Sequence, residues 1–280
     1  MRSYLLPMAK HLGLIPFLDG LRAHWRAYKI RDTNAQFLNE HRSFVPPPID
    51  LAFDAYKTVD WRSYYESGLI HGGCFAKIIK SHIHEPGPTV LDWGCGPGRL
   101  IRHMPALLEE LKPQLHGVDY NRKTIEWCKR TFPEIHFATN NLAPPLDFPT
   151  CFFDVIYGLS VFTHLSEASH AKWLLELRRI LKPNGILIIT AYGEDARQSL
   201  SPGEQADFDA GRLVVQPRVE EGKRGFAAIH SPKFVRTSMF ADWKILQHIP
   251  ADPQGISAQD VWVAALPEYE ETLPSSVSNA

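Results

Sequence analysis

The stretch Val90-Leu91-Asp92-Trp93-Gly94-Cys95-Gly96-Pro97-Gly98-Arg99 sets three glycines at alternate positions directly after an apolar run. Glycine lets the backbone turn at positive φ and approach a ligand closely, and a helix that follows aims its free N–H groups at the same place. The sequence downstream repeats this strand–turn–helix rhythm. After a strand at 89–91 come a helical stretch at about 99–110, a strand at 115–119 and a helix at 123–131. Strands at 135–138 and 153–158, a helix at 166–181 stopped by Lys182-Pro183-Asn184-Gly185, and a strand at 186–190 follow. Short β-branched strands separated by helices of about 10–15 residues predict βαβ crossovers and an α/β fold with a doubly wound, mostly parallel sheet.

The flanking regions differ in character. Residues 1–45 read as helical segments, with Leu18, Leu21, Trp25 and Tyr28 on one face, and Pro46-Pro47-Pro48 closes this arm. A second amphipathic stretch, 61–83, ends at Glu85-Pro86-Gly87-Pro88. Beyond the alternating region, residues 193–230 are rich in Gly, Asp, Glu and Gln, with short strands at 212–216 and 225–229. Ser231-Pro232 forms an N-cap and N1 pair for a helix through Phe240. Strands at 243–249 and 260–266, joined by a loop with Pro253 and Gly255, predict an antiparallel hairpin that closes a seven-stranded sheet. The expected organisation is an N-terminal helical arm or lid over 1–87, a main domain over 88–267 with a variable insertion at 193–230, and a polar, flexible tail at 268–280.

With 44% hydrophobic and 22% charged residues the chain has the balance of a globular protein that buries a core. Thirty Lys and Arg against thirty-one Asp and Glu leave a net charge of −1, which removes the global field expected of a dedicated nucleic-acid binder. The cysteines Cys74, Cys95, Cys128 and Cys151 form no CxxC pair and read as reduced thiols of a cytoplasmic protein. No run approaches the roughly 18 apolar residues of a membrane span. Pro7, Lys10, His11 and Pro16 break the N-terminal apolar stretch, which leaves a helical arm packed on its own domain or a peripheral contact with a membrane. His71, His82 and His84 suggest a metal only superficially, because histidines two apart on a helix face different directions, and no metal is expected.

Asp119 ends the second strand, 21 residues after Gly98, where a carboxylate accepts hydrogen bonds from two ribose hydroxyls. A nicotinamide dinucleotide fingerprint needs a third glycine where Arg99 stands, and Asp92 precedes the first glycine by two positions. This D-x-G-x-G-x-G arrangement with Asp119, the phrase Phe153-Asp154-Val155-Ile156 and the segment Leu181-Lys182-Pro183-Asn184-Gly185-Ile186-Leu187 resembles the class I S-adenosylmethionine (SAM)-dependent methyltransferases, small-molecule and glycan-pathway types among them. A weaker likeness, to methyltransferases of glycan and natural-product pathways, lies in Phe44-Val45-Pro46-Pro47, Val161-Phe162-Thr163-His164-Leu165 and Gln259-Asp260-Val261-Trp262-Val263. The resemblance implies a Rossmann-like fold and SAM as cofactor. It puts Gly94, Cys95, Gly96 and Gly98 along the methionine part, Asp92 near its amino group, Asp119 on the ribose and Tyr120 beside the adenine. The usual acid after the third strand is replaced by Asn140 and Asn141, so Asn141 and Leu142 are taken for the adenine edge, and Ser160 for the methyl end.

His164, after the fourth strand, is the candidate general base, against a structural role at the start of the next helix. Phe162, Tyr192, Glu194 and His230 are candidate acceptor contacts, each weighed against a core or rim role. Tyr64, Tyr65 and Gly68 are placed as a closing surface over SAM, and Lys223-Arg224 as a solvated turn. An amino-methylating N/D-P-P-Y/F motif is absent, since Gly158-Leu159-Ser160-Val161 stands there. The expectation is methyl transfer to an oxygen of a small-molecule or sugar-containing acceptor. The alternative is a SAM-binding regulatory or scaffold protein with the same fold, and the oligomeric state stays open.

Overall fold

A computed structural model describes residues 15–252 and 258–267. The tail at 268–280, the first fourteen residues and the loop with Pro253 and Gly255 lie outside the described residues, as does the side chain of Leu18.

Seven strands form one sheet in the order β3-β2-β1-β4-β5-β9-β8. They are β1 (Thr89–Trp93), β2 (Gln114–Asp119), β3 (His136–Thr139), β4 (Phe153–Gly158), β5 (Leu181–Ala191), β8 (Lys244–Ile249) and β9 (Asp260–Ala265). The first five run parallel, and β9 pairs antiparallel with β5 and β8, which is the C-terminal hairpin the sequence predicted. Along each strand alternate side chains go to opposite faces. Val90, Val155, Ile186, Ile188 and Val263 join one core layer, while Leu91, Ile156, Leu187, Ile189 and Trp262 join the other. Both faces are covered by helices, and that is why these strands read as continuous apolar runs.

The main-domain helices are α5 (Met104–Leu107), α6 (Arg122–Thr131) and α7 (Glu167–Ile180). Asn121 caps α6 by accepting from Lys123 and Thr124 N–H, and Ser166 caps α7 by accepting from Ser169 N–H. The continuous helix expected at 99–110 is instead a 3₁₀ turn (Ile101–His103), α5 and a second 3₁₀ turn (Glu109–Leu111). Pro105 explains the break, since it lacks an N–H and its ring is tolerated only in a first helical turn. β5 also starts earlier than expected: Leu181 pairs with Phe153, and Lys182–Gly185 loop out before Ile186 pairs with Val155.

The N-terminal arm holds α1 (Ile15–Lys29), α2 (Arg31–Glu40), α3 (Ile49–Tyr56) and α4 (Trp61–His82). Asp60 caps α4 by accepting from Ser63 N–H. The insertion contains α8 (Pro202–Asp209) and a separate antiparallel pair, β6 (Val214–Pro217) with β7 (Phe226–Ile229). Ser231 caps the following turn, α9 (Pro232–Phe234), which runs into a π-helical turn (Val235–Met239) rather than a regular helix to Phe240.

Candidate active site

In an open α/β sheet the crevice for a ligand opens beyond the carboxyl ends of the strands, where the winding direction reverses. Here that point lies between β1 and β4, and a cavity opens there. Asp92, Gly94, Cys95, Gly96, Asp119, Tyr120, Asn141, Leu142, Ser160 and His164 all line it. Of the residues proposed for cofactor or catalysis only Gly98 is missing from the wall. It has φ +70, and a Cβ there would stand 3.0 Å from the Phe132 ring, so it shapes the turn from behind.

The glycine loop is tied to β2 by Gly94 and Cys95 N–H groups donating to the Val118 carbonyl at 2.8 and 2.9 Å. Gly94 and Gly96 both have positive φ, and a Cβ would come within 2.6 Å of Val161 Cγ2 and 2.7 Å of the Tyr56 hydroxyl. Asp119 accepts from Gly96 N–H at 3.0 Å and Asn121 N–H at 2.8 Å. Burial raises its carboxyl above the usual range, and those two N–H groups pull it back. Each carboxylate oxygen keeps a lone pair for a ligand hydroxyl. Asp92 is buried more completely, and burial pushes it up to about 8, the neighbouring Tyr157 hydroxyl acting the other way.

Ser160 closes the far wall at φ 63, a left-handed conformation uncommon for a residue with a Cβ. It is held there by a ring of bonds at the ends of β4, β5 and β9: Ser160 N–H donates to Thr190 Oγ1 (2.8 Å), Thr190 Oγ1 donates to Gln259 Oε1 (2.6 Å) and Gln259 Nε2 donates to Ser160 Oγ (2.8 Å). His164 contacts the Phe226 carbonyl through Nδ1 at 2.9 Å. A carbonyl only accepts, so Nδ1 carries the proton and Nε2 keeps its lone pair. Burial lowers its pKa below the usual histidine value, which favours the neutral ring at pH 7.

Several neighbours were not singled out from sequence. The arm reaches the cavity through Leu51, Asp54, Ala55 and Tyr56 of α3, not through Tyr64, Tyr65 or Gly68. Tyr64 is fully buried and donates its hydroxyl to the Pro97 carbonyl at 2.8 Å. Gly68 lets α4 press so close that a Cβ would lie 2.2 Å from the Arg99 carbonyl oxygen. Both support the glycine loop from outside. Arg99 lines the cavity with its guanidinium 4.3 Å from the Tyr56 ring centre.

Lys223 and Arg224 stand at the cavity rim rather than on a remote turn. Their loop is strapped across the site: Gly222 N–H donates to the His164 carbonyl (2.8 Å), Tyr120 donates to the Gly222 carbonyl (3.2 Å), and Arg224 donates to the Ala55 carbonyl. Phe162, Tyr192, Glu194 and His230 are not on the wall. Phe162 is buried edge-on against Trp93, and His230 is buried with its Nε2 2.7 Å from His170 Nε2. Tyr192 packs with Leu200 and Phe208, and Glu194 is exposed. Among the described residues no three His, Cys, Asp or Glu are grouped to hold a metal.

Residues 90–185, the segment that carries most of this wall, match the family model described as a methyltransferase domain. The chain carries a class I SAM-dependent methyltransferase domain. The methyltransferase domain is similar to a probable S-adenosylmethionine-dependent methyltransferase of Mycolicibacterium smegmatis, 28% identical over 44% of this chain and 44% of that one. It is also similar to a trans-aconitate 2-methyltransferase of Azoarcus sp., 32% identical over 48% of this chain and 52% of that one. The chain thus spans about half the length of the curated relatives it matches. In fold it is similar to a SAM-dependent methyltransferase of Leishmania major, with a TM-score of 0.53, 16% identity and 77% of both chains covered.

The methyltransferase cavity fits a nucleoside joined to an amino acid. Asn140 Oδ1 and Arg99 Nε, both on residues of the wall, are buried polar atoms with no partner among the described residues. The first suits an adenine amino group and the second a carboxylate. Between them the glycines leave a cradle that side chains would fill.

Proposed function

We propose that the protein transfers a methyl group from SAM to an oxygen of a small-molecule or sugar-containing acceptor. The observation that carries this reading is the single cavity that joins the glycine cradle and Asp119 to an imidazole with a free Nε2. In the proposed arrangement Arg99 and Asp92 hold the carboxylate and amino group of the methionine part, Asp119 the ribose hydroxyls, and Asn140 with Asn141 and Leu142 the adenine. Tyr120, Cys95, Gly94, Gly96 and Ser160 shape the walls. When bound, SAM supplies an activated methyl on a sulfonium. The protein aligns the acceptor, excludes water and takes the hydroxyl proton on His164 Nε2. A hydroxyl acceptor must lose a proton on methylation, and that fixed tautomer gives the proton a place to go. The rim residues Lys223 and Arg224 face the acceptor side.

The catalytic unit in this reading is residues 88–267, with 1–87 as its lid and 193–230 choosing the acceptor. A cytoplasmic setting is in keeping with four free cysteines. Calorimetry with SAM, followed by turnover on a panel of hydroxylated acceptors, tests the assignment. His164→Ala is expected to keep SAM affinity while lowering turnover about 10²–10⁴-fold, and to remove a rate limb that rises with pH at an apparent pKa below 6.5. A near-normal rate in that variant would leave His164 a structural role. Tight SAM binding with no product from any acceptor would point to a regulatory or scaffold protein.

A further inference from the structure

Helix α1 carries two apolar stripes, and among the described residues only one is packed. Ala23 is fully buried and packs with Ala27 and Ile30 against Phe53 and Val59. Leu21, Trp25 and Tyr28 stand on a different face and are 54%, 61% and 63% exposed. At about 100° per residue these three fall within an arc of roughly 60°. Arg22, Arg26 and Lys29 occupy the strip between the two stripes. Lys29 Nζ lies 5.4 Å from the Trp25 ring centre and the Arg31 guanidinium 4.5 Å from that of Tyr28, so cations border the exposed aromatic rings.

Charge is segregated to the same end of the chain. Over residues 1–31 Arg2, Lys10, Arg22, Arg26, Lys29 and Arg31 stand against the single acid Asp19, in a chain whose net charge is −1. Leu5, Leu6, Leu12 and Leu14 precede the helix with no acid among residues 1–18. An apolar aromatic stripe flanked by basic side chains is the composition of a helix that lies in the headgroup region of a bilayer, its aromatic bodies in the acyl boundary and its cations on anionic lipid. A second copy of the chain suits the stripe poorly, since self-association would set like-charged flanks side by side.

We propose that the exposed stripe of α1 docks the protein onto an anionic membrane surface. The proposal is independent of the methyltransferase reading, and its test uses no turnover. The full chain is sedimented with phosphatidylcholine vesicles, with and without about 30% phosphatidylglycerol. Partition onto the anionic vesicles is expected to exceed that onto neutral ones at least tenfold and to collapse in about 0.5 M salt, as screening requires. Leu21→Ser with Trp25→Ser is expected to bring binding down to the neutral-vesicle level, with thermal stability unchanged because both side chains face solvent. Arg22→Gln and Lys29→Gln should each weaken binding about fivefold, the ratio equivalent to about 1 kcal/mol per charge. Brominated lipid should quench wild-type tryptophan fluorescence more than that of Trp25→Phe, a conservative control. No preference for anionic vesicles overturns the proposal. So does undiminished binding by the stripe variant, equal quenching in Trp25→Phe, or a lipid-free dimer that the stripe variant dissociates.

Discussion

Asp92 is a buried carboxyl held up to about 8 by its surroundings, one turn of chain away from a glycine cradle. Alone, it carries a proton at pH 7. The proposed ammonium group of SAM favours the carboxylate, so binding should release that proton. SAM affinity is therefore expected to weaken by up to about tenfold per unit as pH falls from 7.5 to 6. Calorimetry at pH 7 in two buffers of different ionisation enthalpy should register close to one proton released. Asp92→Asn should flatten the pH dependence and weaken binding about 10-fold or more, the loss expected of a charge-assisted hydrogen bond. Affinity independent of pH over that interval would remove Asp92 from the amino-group site. The same scale shows where single residues escaped the sequence reading. Asn140 and Asn141 are adjacent and chemically identical, yet only Asn140 buries an unpartnered side-chain oxygen. His164 was read as the candidate base and His230 as a candidate acceptor contact; His230 is spent against His170 in the core, while His164, held through Nδ1 by the Phe226 carbonyl, lines the cavity.

Among elements, the strap between β6 and β7 decides how the site closes. Gly222 sits at φ +85, and a Cβ there would come 2.5 Å from Leu142 Cδ1. A side chain at this position would strain the backbone by about 1–2 kcal/mol and push on the adenine-side wall. Gly222→Ala is expected to raise KM for SAM roughly 5- to 30-fold, the ratio that 1–2 kcal/mol makes. Thermal stability should fall by no more than that same strain of about 1–2 kcal/mol, since Gly222 and the exposed Lys223 and Arg224 lie outside the core. An unchanged KM would show that the strap does not cover the cofactor. Strands and helices of the main domain were legible because each buries a face and so carries a period. The strap has no such period. Lys223-Arg224 beside Glu220-Glu221 looks like any solvated turn, and only the docking of Glu221 on Ser166 (2.7 Å to N–H) and of Arg224 on Ala55 brings it to the rim. The arm shows the same limit: α4 was recognisable as an amphipathic stretch, while α3 was not read between the prolines and Trp61, and that Tyr56 rather than Tyr64 faces the cavity depends on how α4 packs on the glycine loop.

At the scale of the whole molecule, buried imidazoles set the acid limit. Burial lowers His103, His116 and His170 to about 4, His230 further, and His71 and His164 to a lesser degree. Below about pH 6.5 the unfolded chain takes up protons that these folded sites refuse, so their contribution is present above that value and is lost as pH falls toward 4. Asp92 and Asp119, raised by burial, act in the opposite direction: the stability they contribute is present at low pH and is lost as pH rises through their folded values. The imidazoles outnumber them, and the ligand-free melting temperature is expected to fall between pH 7 and pH 5. Calorimetric scans across that interval check it, and a melting temperature that climbs on acidification would contradict the balance.

By itself the sequence determined the order of the seven sheet strands along the chain, the position of the glycine loop and Asp119, the closing hairpin and the class of chemistry. Those features are local: they follow from hydrophobic period, from turn residues and from the spacing of a few polar groups along one stretch of chain. Tertiary structure alone decided that α3 rather than α4 walls the cavity, that Arg99, Asn140 and Arg224 stand at the site while Phe162 and His230 serve the core, and that the Leu21–Trp25–Tyr28 stripe is left uncovered. The physical reason is that these outcomes depend on which buried surfaces are shared between segments far apart in the chain, and that partition is made only when the layers pack.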